Sequence, residues 1–372
     1  MMDKKQISLL VTGSIAAEKR TLPLIEALRK NGHAVTVLLT RAPLEWKWVS
    51  AEEAEAASGH KVLTDASNLS SGADIAAKKK ALYSPHAILV APASADFISQ
   101  LAHKSSDLAR AILTAQGDSS LLIIAPAMNN WMWGHPAVVR NCDTLKKNGA
   151  VILGPVKGLM ACGDKGYGRM INVDDLVKGV QAALEGKHLH FTYSYYETAR
   201  EEGTKTAPFR PPEGNAPILI ALGGGNLKWP DVINLVGEIN RTGLAADYLL
   251  DPQWKGHAEE LKSLTERTVV WDYFQVPGFD GMEHIKLPER SRCVFIPFLD
   301  DALATAMTQG RADTLFLSAY LASKAPVLTT KECLRHLSPA AASALRQDGM
   351  GEAEDVKDLA RLCFQPEGLS PR

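Results

Sequence analysis

The sequence predicts an α/β fold, a doubly wound Rossmann-like parallel sheet repeated in tandem along the chain. Three observations carry this. Strand-like and helix-like segments alternate through the first half. Ala87-Ile-Leu-Val-Ala91 and Leu121-Leu-Ile-Ile-Ala125 are continuous apolar runs, the composition of strands buried on both faces. After a Pro-rich break the same order of segments begins again.

Ile7–Thr12 is a short apolar run that ends in Gly13-Ser14, a strand followed by a turn. Apolar residues at 22, 24, 25 and 28 have helical spacing, so a helix is expected over Leu22–Asn31, stopped by Gly32. Ala34-Val-Thr-Val-Leu-Leu39 is rich in β-branched residues and reads as the second strand. The runs at 87–91 and 121–125 are the next two, Val151-Ile-Leu153 the last, and Val173–Leu184 a closing helix. Residues 186–216, with Tyr193-Ser-Tyr-Tyr196 and Ala207-Pro-Phe-Arg-Pro-Pro212, read as a linker between a first domain, 1–185, and a second, 217–372.

The second domain repeats the pattern at an offset of 205–211 residues. Pro217–Leu222 with Gly223-Gly-Gly225 echoes Ile7–Ser14, and Val232–Thr242 before Gly243 echoes the helix before Gly32. Arg292–Pro297 followed by Asp300–Ala306 echoes Ile88–Pro92 followed by the segment from Asp96, and Ala325–Thr330 echoes the strand before Pro126.

Composition excludes several function classes. A hydrophobic fraction of 46% with 22% charged residues is that of an ordinary globular chain, and a net charge of −1 offers no electrostatic case for nucleic acid or an anionic membrane. No apolar run approaches the ~20 residues of a membrane span, and the N-terminal residues carry no apolar signal region, so a cytoplasmic protein is expected. The five cysteines, 142, 162, 293, 333 and 363, are scattered without a C-x-x-C pair; neither a metal site nor a disulfide framework is expected.

Two segments have the composition of a site. Pro126-Ala-Met-Asn-Asn-Trp-Met-Trp133 places amides, thioethers and indoles directly after an apolar run. Ala161-Cys-Gly-Asp-Lys-Gly-Tyr-Gly-Arg-Met170 holds three glycines, a thiol, a carboxylate and a guanidinium, which fits a flap lying close to a ligand, or simply a Gly-rich hairpin. The first resembles the P-x-M-N-x-x-M-W segment, and the second the A-C-G-D-x-G-x-G-R-M clamp, of the homo-oligomeric flavin-containing cysteine decarboxylases, the phosphopantothenoylcysteine decarboxylase-like flavoproteins. Val11-Thr-Gly-Ser-Ile-Ala16 resembles that family's first phosphate-binding turn and Ala91-Pro-Ala-Ser-Ala-Asp96 its P-A-S-A-N-T flavin motif. The resemblance covers roughly residues 5–185.

The absence of G-x-G-x-x-G argues against a dinucleotide, so FMN is the expected cofactor. Gly13, Ser14 and Ile15 open a helix and are expected at its phosphate; Thr40 adds a hydroxyl from the next strand end. The resemblance puts Ser94, Ala95, Asp96 and Ala127 against the flavin. Asp96 replaces the family's usual Asn and has helix capping as a rival role. By the same resemblance Asn129 grips the departing carboxylate or the amide next to it, and a neutral amide can orient a carboxylate without changing protonation. Met128, Ala161, Gly163, Arg169 and Met170 complete the implied substrate-binding set. Arg169 either pairs with Asp164 or meets a phosphate or carboxylate on the substrate. Cys162 is the implied proton donor in the clamp; Met132 is expected to pack, and Trp131 and Trp133 either wall the pocket or pack. The substrate is expected to be a small molecule or peptide with a cysteine-derived carboxylate, and the assembly a homo-oligomer, trimer or dimer.

One departure bears on chemistry. The family's active-site His falls where this chain reads Ala73-Asp74-Ile75. An unperturbed Asp titrates near ~3.9 against ~6.5 for His, so Asp74 is a base that donates a proton poorly at neutral pH. His86 lies at a strand start, the wrong end for a flavin, and His60 in a loop. Oxidative decarboxylation therefore competes with two other readings: a flavin-dependent reductase or electron-transfer protein, and a non-catalytic flavoprotein subunit. The second domain carries neither P-x-M-N nor the clamp. It is either an interface supplied in place of another subunit or a structural lobe.

Overall fold

The computed structural model describes residues 5–64, 85–117, 120–187, 190–203, 212, 215–273 and 282–364. Two compact units divide the chain, residues 1–134 with 138–205 and residues 135–137 with 206–372.

The first unit is built on a six-stranded sheet: β1 (Gln6–Val11), β2 (Ala34–Leu39), β3 (Leu63–Thr64), β4 (Ala87–Ala93), β5 (Leu121–Pro126) and β6 (Val151–Ile152). Its order is β3-β2-β1-β4-β5-β6, with every pairing parallel. Parallel strands need crossovers, and helices supply them, so the apolar strands are covered on both faces. Every residue of β4 is buried. The helix Ala16–Lys30 turns Ala17, Leu24, Ile25 and Leu28 onto the sheet. It starts six residues before the apolar spacing becomes visible at Leu22, because its first turns carry Glu18, Lys19 and Arg20 outward. The chain reverses its direction of winding between β1 and β4, and the crevice beyond those two tips is where an open α/β sheet binds ligands. A register shift between Val90 and Ala93 bends β4 there.

Beyond β6 the chain forms an antiparallel hairpin, β7 (Val156–Leu159) and β8 (Lys165–Arg169), with Gly158 opposite Gly166. The closing helix Val173–Leu184 is capped by Asn172, whose side chain accepts from Asp175 N. The segment expected to be a linker instead contains a helix, His190–Gly203, and the first unit runs on to residue 205. Its partners explain the difference. The Trp133 indole Nε1 donates to Ala199 O at 2.8 Å, and the Tyr196 hydroxyl donates to Asp143 at 2.9 Å. Tyr196 is therefore a core residue whose partners lie far away in sequence.

The second unit repeats the sheet: β9 (Ile218–Leu222), β10 (Ala246–Leu250), β11 (Val269–Val270), β12 (Val294–Phe295), β13 (Val327–Thr330) and β14 (Gly351–Ala353). The order β11-β10-β9-β12-β13-β14 is that of the first sheet, again parallel throughout. The tandem α/β fold is thus present in both halves, each with its own apolar core. Among the described residues the second unit has no counterpart of the β7–β8 hairpin; β14 leads directly into the helix Val356–Phe364.

Candidate functional site

At the β1 and β4 tips the sequence supplies hydroxyls and small residues. The Thr12 hydroxyl is buried between two segments: it donates to Pro92 O at 2.7 Å and accepts from Ser94 N at 2.8 Å. The Ser94 amide is part-buried, and leaving it without a partner costs up to the about 1–3 kcal/mol of a buried group, so Thr12 fixes the two turns against each other. Ser94 caps the helix Ala95–His103, its Oγ accepting from Phe97 N at 3.2 Å. Capping is therefore the work of Ser94, while Asp96 lies in the first turn and accepts from Gln100 Nε2 at 2.7 Å. Gly13 lies where a Cβ would press on Ala42 Cβ at 3.0 Å, so the turns after β1 and β2 are close neighbours. The Ser14 amide bonds to Thr12 O, and no side chain caps the helix that begins after Ile15. In its first turn Ala17 N and Glu18 N bond to Ser14 O and Ile15 O, at 2.8 and 3.2 Å, so an anion at this end would meet the helix dipole with no side-chain cap in its way. Thr40 turns inward: its N–H and its hydroxyl both donate to Val11 O, at 3.0 and 3.2 Å.

The loop after β5 carries the second half of the site. Ala127 N donates to Ala93 O and Met128 N to Gly168 O, both at 3.0 Å, so this loop is tied to β4 on one side and to the hairpin on the other. The close approach explains the hairpin glycines. A Cβ on Gly168, whose φ is +151°, would lie 2.4 Å from Met128 O, and one on Gly166 would lie 2.9 Å from Asn130 Cβ.

Asn129, 6% exposed, faces the hairpin turn. Its Nδ2 donates to Cys162 Sγ at 3.3 Å and to Asp164 Oδ2 at 3.1 Å; its Oδ1 accepts from Trp131 N at 2.7 Å. The amide thus has a fixed orientation, donors toward the hairpin. Cys162 is half-buried, whereas Cys142, Cys293, Cys333 and Cys363 are buried. Ala161 and Gly163 are exposed on the turn, and Arg169 is half-buried at the foot of β8, where a Cβ on Gly158 would strike its Nε. Met170 lies in the hydrophobic core at 2% exposure, and Trp133 is buried at 1%. The structure therefore brings together Asn129, Met128, Cys162 and Asp164, and separately Gly13, Ser14, Ile15, Thr40, Ser94 and Asp96.

Asp74 lies outside the described residues. His86 Nδ1 accepts from Gln6 N at 3.0 Å at the strand starts, the opposite edge of the sheet. His60 is exposed on a loop after the helix Ala51–Ser58. Three contributors escaped the sequence reading: Thr12 as the bridge, Asp164 as the acceptor for Asn129, and the helix His190–Gly203. For Thr12 the signal was its place beside Gly13; the other two depend on contacts between distant segments. Among the described residues no cluster of three or more His, Cys, Asp or Glu is placed to hold a metal ion. None of their helices is long and apolar enough to cross a membrane.

Known proteins match the same half of the chain. Residues 1–185 match the family model described as Flavoprotein. The coenzyme A biosynthesis bifunctional protein CoaBC of Mycobacterium bovis is 35% identical over 185 residues, 49% of this chain and 42% of that protein. The Bacillus subtilis protein of the same name is 34% identical over 202 residues, 52% of this chain and 48% of its own length. The chain thus spans less than half the length of these relatives. Among solved structures, HAL3 from Cryptococcus neoformans aligns with a TM-score of 0.42 at 24% identity, covering 49% of this chain and 97% of that one. A PPC decarboxylase mutant complexed with pantothenoylaminoethenethiol aligns at 0.41 and 22%, covering 49% and 100%. Residues 1–185 belong to the Flavoprotein family.

Proposed function

We propose that the first unit binds FMN across the β1 and β4 tips and catalyses oxidative decarboxylation of a cysteine-derived carboxylate. The residues fit the cofactor: Gly13 lets the turns after β1 and β2 come close, Ser14 and Thr40 place hydroxyl residues on those turns, and the helix Ala16–Lys30 has no side-chain cap to compete with a phosphate. A bound flavin supplies the two-electron sink for the thiol-bearing carbon pair.

What this chain's residues do follows from their atoms. Asn129 orients the carboxylate that departs, using Nδ2 donors that here serve Cys162 and Asp164. The hairpin lays Gly168 against Met128 and keeps water from the reacting carbons. Cys162, within reach of the Asn129 amide, would supply the proton to the product carbon if the two electrons were returned there from a bound flavin; without that return the product leaves as the ene-thiol. One observation carries the reading: a buried, oriented amide and a hairpin thiol meet at 3.3 Å beside the strand tips. That the relatives are coenzyme A biosynthesis proteins supports a substrate of the phosphopantothenoylcysteine class. A cytoplasmic homo-oligomer, trimer or dimer, belongs to the same reading.

The test is anaerobic incubation of FMN-loaded protein with phosphopantothenoylcysteine and with cysteine-ending peptides, read by mass spectrometry for loss of carbon dioxide. Bleaching of the flavin by a reductant, with no such loss for any substrate, favours the reductase reading that Asp74 motivates. Asp74→His is then expected to raise decarboxylation, and an unchanged rate counts against placing Asp74 in the site.

A further inference from the structure

We propose that the helix His190–Gly203, beyond the residues matched by the family model, latches the glycine-rich hairpin over Asn129, with Tyr167 and Glu202 as the positioning pair. The inference rests on reading the hairpin as the substrate clamp.

Three contacts carry it. The Tyr167 hydroxyl, on β8 between Gly166 and Gly168, donates to Glu202 Oε2 at 2.8 Å. The same helix holds the other side of the site. Trp133 Nε1 donates to Ala199 O at 2.8 Å, and Trp133 N donates to Asn129 O at 3.0 Å. The helix end is wedged between the two: a Cβ on Gly203 would lie 2.7 Å from Trp133 Cδ1 and 3.1 Å from Tyr167 Cβ.

The helix is a firm base for a latch. Arg200 makes a forked pair with Asp143, Nε to Oδ1 and Nη2 to Oδ2, both at 2.9 Å, and the Tyr196 hydroxyl adds a bond to Oδ1 at 2.9 Å. Burial pulls the Asp143 carboxyl upward, but the Arg200 and Tyr196 bonds outweigh it and hold its pKa below the ordinary value, so the pair stays charged. Burial first, and then Glu202, push the Tyr167 hydroxyl's pKa up, which keeps it a donor at neutral pH. A two-stranded hairpin is marginal alone, and a hydroxyl-to-carboxylate bond at its edge shifts its opening equilibrium directly. Glu202 is exposed, so its removal leaves the core intact.

Cys162 is the reporter, because the other four cysteines are buried. The rate of Cys162 modification by a chromogenic disulfide reagent is measured on the full-length native protein without added flavin. Tyr167→Phe and Glu202→Ala are each expected to raise it about three- to tenfold, the range for one net hydrogen bond. Glu202→Gln, which keeps an acceptor, raises it less, and the double variant no more than either single one. Tryptic cleavage after Lys165 is expected to rise in parallel. Unchanged labelling in both single variants with unchanged melting temperatures, or effects that multiply in the double variant, overturns the latch. These readouts need no turnover: a protein that labels as expected but never decarboxylates loses the functional reading and keeps the latch.

Discussion

The two units share one strand order and differ at the tips of the strands. After β1 and β4 the first unit presents Thr12, Ser94 and, from β2, Thr40, all neutral hydroxyls. After β9 and β12 the second presents Gly223-Gly-Gly225 and Asp300, and from β10 Asp251. The Asp300 carboxylate accepts from Gly225 N through Oδ2, and through Oδ1 from Leu303 N at 2.7 Å, capping the following helix. A carboxylate of the chain itself thus takes up the glycine-turn amide that a bound anion would use. Burial raises the pKa of Asp251, and Asp313 adds to the rise, so the second corner is also costly for further negative charge. The comparison teaches that topology places the corner while two or three side chains decide whether an anion can enter it.

The largest expected effect lies at the amide unique to the first unit. Asn129→Asp replaces two donors by acceptors beside Asp164. Decarboxylation is expected to fall about a hundredfold, the scale for one oriented donor, while the flavin spectrum persists; retained turnover would remove Asn129 from the site. Next is a pair of glycines. Gly168→Ala drives a Cβ into Met128 O at a φ of +151°, and should lower kcat/KM at least about tenfold while speeding Cys162 labelling. Gly225→Ala, whose Cβ meets the Asp300 carboxylate at 3.2 Å, should leave turnover unchanged. Equal losses from the two would erase the distinction between the units.

Thr12→Val removes the bridge and leaves Ser94 N without its acceptor. Stability should drop by about 1–3 kcal/mol, read as a lower urea midpoint at constant slope.

The smallest effects are opposite responses to pH. His33 in the first unit is buried, and desolvation, partly offset by Gln181, lowers its pKa from 6.5. The unfolded chain then binds the proton more readily, so this contribution is full above about pH 6.5 and fades as pH falls through the lower native value. Asp251 in the second unit has a native pKa above its unfolded one, so its burden at neutral pH is relieved as pH falls through that raised value. His33→Leu should flatten the first slope and Asp251→Asn the second, as followed by urea unfolding from about pH 7.5 down to the ordinary carboxyl range, ~3.9. The same slope before and after substitution would mean that other groups set it.

Much of the fold was legible because its strands bury both faces. Ala34–Leu39 and Val173–Leu184 agree with their expected bounds, and Gly243, at φ +74°, ends its helix as the sequence suggests. The two-residue strands Leu63–Thr64 and Val269–Val270 are too short for a period to appear. The helix His190–Gly203 was hidden for a different reason. Its polar sequence borrows its core from Trp133 and Asp143, far away along the chain. The Asn129–Asp164 contact spans 35 residues and depends on how the hairpin folds back, which spacing alone does not reveal. The motif residues were visible as a set, but which of them touch was not.

Equilibrium titration of FMN into the flavin-free protein tests the central claim most directly. One FMN per chain is expected, lost on Gly13→Val, which crowds Ala42, and kept on Gly224→Ala in the second unit. Absence of binding, or binding that survives the first substitution and fails with the second, would contradict the account.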